Sequence, residues 1–294
     1  MNLLRIFVGC FLIMMGGGCA KWSQLTDSAK KPEAGLPTPQ MSPDAVAVDT
    51  VFVRLNEQQS EALPNAWASV NEQAIDIQVR RMLDRNGIRA GVIMGELPHV
   101  VQSWVSDSDK RIRTELQEQA SIAADVSSHV QRLVCKAGRR KELVVRGAKE
   151  GQIVIIHNDG VIKGKTYDQP ALLFDLRMFP NRDGTANIRL SPEIQFGPLK
   201  STFVSQEGAW RRESRRSADT WAEATVESKL SPGQLLMVTG TEEPKGIGES
   251  FFWTETADQK KERIVLLIRL SRTQLNDLFD SEGIAASQRA METK

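Results

Sequence analysis

Between residues 74 and 86 the apolar side chains Ile75, Val79, Met82 and Leu83 recur at i, i+4, i+7 and i+8. That spacing puts them on one face of a helix. Asp76, Arg80, Arg81, Asp84 and Arg85 fall on the opposite, solvated side. Gly87 follows Asn86 where the helix must end, and glycine takes the positive φ of such a cap without strain. Residues 45–55, rich in valine, predict a strand before this helix, and the apolar run 88–94 predicts one after it. Strand, helix and strand in that order define a small α/β unit. Residues 96–105 predict a further helix, and Ile112, Leu116 and Ala120 suggest one more.

From about Val134 the period changes to two. Residues 141–146, 152–157, 171–179, 186–191, 221–229, 233–239 and 263–270 all read as strands. Phe174, Leu176 and Met178 alternate with Asp175 and Arg177, as Ile188 and Leu190 do with Asn187 and Arg189, so each strand has one buried and one polar face. Turn chemistry separates them at Asn158-Asp159-Gly160 and at residues 181–184. The run Ile264–Ile268 is apolar on both faces and predicts a central strand covered on both sides. The expected fold class is α+β. A small strand-helix-strand α/β domain (46–133) would be followed by an all-β, sandwich-like domain (134–272), then a short helix around 275–279 and a polar tail within 273–294.

The N-terminus reads as an address. Arg5 precedes an apolar stretch over residues 6–15, and Gly16, Gly17 and Gly18 stand before Cys19. About ten helical residues span roughly 15 Å, half of a hydrocarbon core of about 30 Å, so this segment fits a signal peptide (1–19) and not a resident span. Small residues before a cysteine resemble the bacterial lipobox, which implies lipidation of Cys19 and, with Ala20 after it, the outer membrane in preference to the inner. An ordinary secretory signal cleaved near Gly18 or Ala20 is the simpler alternative. Residues 20–45, with Pro32, Pro37, Pro39 and Pro43, predict a flexible linker. Of Cys10, Cys19 and Cys135, only Cys135 would remain as an ordinary thiol, so packing and not an internal disulfide must hold the fold.

Charge excludes more than it suggests. With 38 basic and 37 acidic residues the chain has a formal net charge of +1, which gives no reason to expect nucleic acid. Residues 160–166 superficially look like a phosphate loop. Only three residues separate Gly160 from Gly164 where four are needed, and a hairpin arm is the better reading. His99, His129 and His157 show no metal-ligand spacing, no serine-hydrolase elbow is present, and no catalytic residue, cofactor or metal is expected. The one concentrated cluster is Trp210, Arg211, Arg212, Arg215 and Arg216, with Trp221 nearby. It is a candidate surface for a polyanion or a protein partner. A solvated loop between strands is the plainer reading of the same residues, and Arg139-Arg140-Lys141 reads likewise.

The order of landmarks in the second half carries a resemblance. A strand ending in Pro192-Glu193-Ile194, then the segment 232–240 with Gly233-Gln234 closing on Gly240, then the apolar strand 263–269, resemble the C-terminal β-domain of bacterial secretins. The whole chain also looks like exported lipoproteins of the planctomycete type, a likeness that implies an address and no activity. Three functions follow as expectations. The leading one is a non-enzymatic binding or structural module of the cell envelope, anchored to the membrane through lipid and meeting an envelope protein partner. The others are a component of a secretin-like export or pilus assembly, and an enzyme without a sequence-visible motif.

Overall fold

The computed structural model describes residues 41–42, 44–118, 130–147, 152–158, 161–206, 209–255 and 259–275. The expected leader, Cys19, most of the linker and the body of the C-terminal helix lie outside the described residues. Strands hold 54% of the described residues and helices 22%, arranged in several antiparallel sheets, so the fold is α+β and mostly β.

Six strands make the first sheet, in the order β2 (Ile88–Ile93), β11 (Leu235–Gly240), β13 (Lys261–Gln274), β1 (Ala45–Leu55) and β3 (Gln131–Lys136), with β12 (Trp253–Glu255) also on β13. β13 is the central, doubly covered strand that its composition predicts. Ile264, Leu266, Ile268 and Leu270 point to one core, and Val265 and Leu267 point to another. The second core lies under the short helices α1 (Glu57–Glu61) and α2 (Leu63–Trp67) and the longer α4 (His99–Glu118), which contributes Val101 and Trp104. The two helices expected around 96–120 are therefore one. Helix α3 (Ile77–Arg85) forms where the periodicity places it but starts later, at an Asp76 cap with Ile75 extended before it, and ends at Asn86 before Gly87 with φ 72°.

The second sheet runs β10 (Val226–Leu230), β8 (Ala186–Gln206), β7 (Ala171–Pro180) and β4 (Lys141–Arg146), with β9 (Ala209–Thr220) also on β8. Its inner side chains, Leu172, Phe174, Leu176, Met178, Ile188 and Leu190, share the first core with the six-stranded sheet. A separate hairpin pairs β5 (Gln152–Asn158) with β6 (Val161–Tyr167), so residues 161–166 are the return arm that their spacing predicts.

The structure departs from the expected layout in two places. The division expected between residues 133 and 134 falls inside β3, and the first sheet draws strands from both halves. Long-range pairing of β1 with β13 leaves no local signal, so a change of texture along the chain mimics a boundary. The other departure is β8, which does not stop near Ser191. Pro192 sits where the edge of β8 changes partner, since pairing with β10 ends at Leu190 and pairing with β9 begins at Glu193. The Pro192 carbonyl accepts from Trp221 on that edge. Its missing N–H therefore falls where no strand would use it.

Helix α5 (Gly246–Phe252) has no counterpart in the sequence pattern because its glycines are poor helix formers. It is held by packing. Phe251 and Phe252 are fully buried, with Phe174 at 5.2 and 5.9 Å between ring centroids. Its first turn meets the end of α3 backbone to backbone, with Gly248 donating to the Asn86 carbonyl at 2.8 Å. A Cβ on Gly248 would stand 2.0 Å from the Gly87 oxygen. The Asn86 side chain completes this junction by pairing with both backbone groups of His157 on β5, each at 2.9 Å. We expect Gly248→Ala to lower stability by about 3 kcal/mol, read as a lower urea midpoint. Gly147→Ala, where a Cβ meets nothing within 4 Å, should stay within about 0.5 kcal/mol.

Candidate functional site

The basic cluster lies on a strand and not in a loop. β9 pairs with β8 from Glu193↔Thr220 to Gln206↔Ala209, with an irregularity between Phe196 and Lys200. β7 accompanies β8 only as far as Gln195. From Phe196 outward the two strands form a ribbon whose outer edges have no further strand among the described residues. Trp210, Arg211 and Arg212 sit on this ribbon opposite Ser205, Val204 and Phe203.

Arg215 and Arg216 part company. Arg215 is exposed, opposite Lys200. Arg216 turns back to the body, where its Nε donates to the Gly197 carbonyl at 2.7 Å and its Nη2 donates to the Gln169 carbonyl. Gly197 and Gln169 both have positive φ, so Arg216 fastens two tight bends together. It is a structural residue of the ribbon's base.

Trp221 follows the end of β9 and belongs to a different feature. It lines a groove of about 630 Å³ together with Lys163, Lys165, Tyr167, Asp219 and Thr220. Asp219 is the hub, accepting from the Lys165 ammonium and, at 2.8 Å, from the Tyr167 hydroxyl. The Lys165 ammonium also lies 4.9 Å from the Tyr167 ring centre and 4.6 Å from that of Phe196, a cation held over two π faces. Lys163 has no partner among the described residues. The groove thus offers an indole and a free ammonium, while its carboxylate and its hydroxyls are already engaged. That set suits binding better than proton transfer.

The more buried polar cluster has no signature in the sequence. Glu193, only 1% exposed, accepts from Arg140 Nη2 at 2.6 Å, from Gln195 at 3.1 Å and from Thr220 at 3.3 Å. Arg140 also meets Glu142 at 2.9 Å and Asp175 at 3.9 Å. Burial pulls the Arg140 guanidinium down, but hydrogen bonding and charge from Glu193, with Asp175 and Glu142, outweigh it and hold it above its usual value. The expected solvated cluster at 139–141 is, at Arg140, an internal counter-ion. Alternation marks Asp175 and Glu193 as outward-facing. The register that stacks them beneath Arg140 cannot be read from either strand alone.

Other candidates are quieter. Cys135 on β3 is half-buried, and burial raises its thiol above the ordinary value despite Lys141 nearby, the profile of an inert thiol. His157 is tied through its backbone to Asn86. No group of three His, Cys, Asp or Glu among the described residues is placed to hold a metal ion. No helix among them is long and apolar enough to cross a membrane. The chain matches no protein-family model, no curated protein and no solved structure.

Two measurements test this geometry. Tyr167 is the single tyrosine, and burial, then its hydrogen bond to Asp219, pushes its phenol well above the usual value. Folding therefore favours the protonated phenol. The stabilisation is whole below an unfolded value near about 10 and is lost as pH rises from there toward the higher folded value. Phenolate absorbance should stay absent at pH values where the denatured chain shows it in full, and Asp219→Asn should recover part of the shift. Separately, Arg140→Ala strands Glu193 without its cation and should cost about 3 kcal/mol. Adding Glu193→Gln should return part of that loss in denaturant unfolding.

Proposed function

We propose that the protein is a membrane-anchored module of the cell envelope that works by binding and not by catalysis, with the β8–β9 ribbon as its contact element. One observation carries this reading: β8 outruns its own sheet, from Phe196 to Gln206, with only β9 beside it. A two-stranded ribbon is marginally stable alone and presents unpaired edges, which proteins otherwise shorten or cover. Residues 197–217 hold five basic against two acidic residues, a net +3 in a chain whose total is +1. The positive charge is thus concentrated on the two strands that extend beyond their sheet. An acidic protein surface or an anionic polymer of the envelope is the complementary partner. The polar groups nearer the core, Asp219 and Glu193, are satisfied internally.

The address belongs to the same proposal. Export through the leader, lipidation at Cys19 and a flexible linker would hold the folded body close to the membrane, the outer one in preference to the inner. A second reading, membership of a secretin-like export or pilus assembly, is favoured by one point. The strand carrying Pro192-Glu193 continues as a ribbon, long enough to cross to a neighbouring subunit.

The test uses the native chain recovered from envelope fractions under mild crosslinking. Arg211→Ala/Arg212→Ala/Arg215→Ala should leave stability within about 1 kcal/mol and abolish partner capture, and capture by the native chain should weaken as salt rises. Capture that survives both changes removes the ribbon from the reading. Mass analysis of the mature N-terminus decides the anchor, and an unmodified terminus away from Cys19 ends it. Ring-shaped particles by electron microscopy would select the second reading.

A further inference from the structure

A cleft of about 370 Å³ opens between α3 and β2, away from the elements that form the ribbon. Its floor is apolar, made of the buried side chains Leu83, Ile88 and Ala90, and Ile77 stands on its rim 48% exposed. Its walls carry four guanidinium groups, Arg80, Arg81, Arg85 and Arg89, against two carboxylates, Glu72 and Asp84. Both carboxylates are engaged, Glu72 with Arg89 and Asp84 with Lys245 at 3.6 Å.

The remaining cations have no such relief. Arg80, Arg81 and Arg85 have no acceptor among the described residues, and the Arg80 Nε is sealed from solvent. Arg81 and Arg85 stand one helical turn apart, where like charges repel. Arg89 is oriented in advance, its guanidinium stacked 4.3 Å from the Trp67 ring centre. A buried donor without an acceptor and a cluster of like charges without counter-ions are both unfavourable arrangements. One ligand chemistry relieves both, an oxyanion seated among the guanidiniums.

We propose that this cleft binds a phosphoryl group. The three unpaired guanidiniums, with the donors of Arg89 that Glu72 leaves unused, offer more than the two oxygens of a carboxylate can accept, whereas a phosphoryl group presents three terminal oxygens and up to two charges. The apolar floor takes the organic body to which that group is attached. Two sources share this chemistry, a soluble phosphate ester and the headgroup of a phospholipid.

Calorimetric titration of the full-length chain in detergent distinguishes them. The probes are inorganic phosphate, short-chain phosphatidic acid and, as the zwitterionic control, short-chain phosphatidylcholine. Saturable binding of phosphate, weakened tenfold or more by Arg81→Ala/Arg85→Ala and unchanged by Arg189→Ala, a cation on β8 outside both surfaces, supports the site and a soluble source. Binding of phosphatidic acid alone, lost in the same double variant, supports the site and a headgroup source. Arg81 and Arg85 are exposed, so the variant keeps its fold, and circular dichroism checks this. Arg85→Gln provides a second, milder variant. Absence of binding by both phosphate probes overturns the proposal, as does equal binding of phosphatidylcholine or binding that neither variant weakens.

Discussion

Strand β13 is buried on both faces, and every other layer is positioned by it. Its backbone groups have no water to turn to, so they must be met by neighbouring strands. β11 and β1 supply those bonds on either side. Once they do, the alternation of Ile264, Leu266 and Ile268 with Val265 and Leu267 assigns one face to the second sheet and the other to the helices. A shift of one residue would exchange the two faces of the strand. The position of β1, and of the β2 strand that lines the arginine cleft, depends on that register.

Much of this was legible in the residues. The apolar run around Leu266 marked a doubly covered strand, the turn after His157 marked a hairpin, and Gly87 marked the end of α3. These are local signals, set by side-chain period and by backbone positions that only glycine fills easily. What stayed hidden depends on partners distant in sequence. Pro192 looked like a stop because its effect depends on which neighbour the strand edge has at that point. Arg140 looked solvated because Glu193, fifty-three positions away in the chain, is brought beneath it only by the β4–β7–β8 register. Helix α5 has too little intrinsic propensity to announce itself and exists because Phe251 and Phe252 fill the core beside Phe174.

The candidate sites were legible in the same uneven way. Composition picked out the arginines of β9, but only the fold separates Arg216, which fastens bends, from Arg215, which faces solvent. Composition also marked Arg80, Arg81 and Arg85 as an ordinary solvated face of a helix. β2 and the turn before α3 make that face one wall of a cleft and bring Arg89 and Glu72 to the other. In both places residue type was visible in the chain, and the way charge is compensated was not.

The neighbourhood of β1 and β13 also orders events during synthesis. β1 leaves the ribosome early, yet its long partner is complete only at Gln274, more than two hundred residues later. Until then the six-stranded sheet lacks its middle, and β1 has only β3 beside it. A chain built this way can assemble its second sheet first and joins the two distant halves of the first sheet only in a late step.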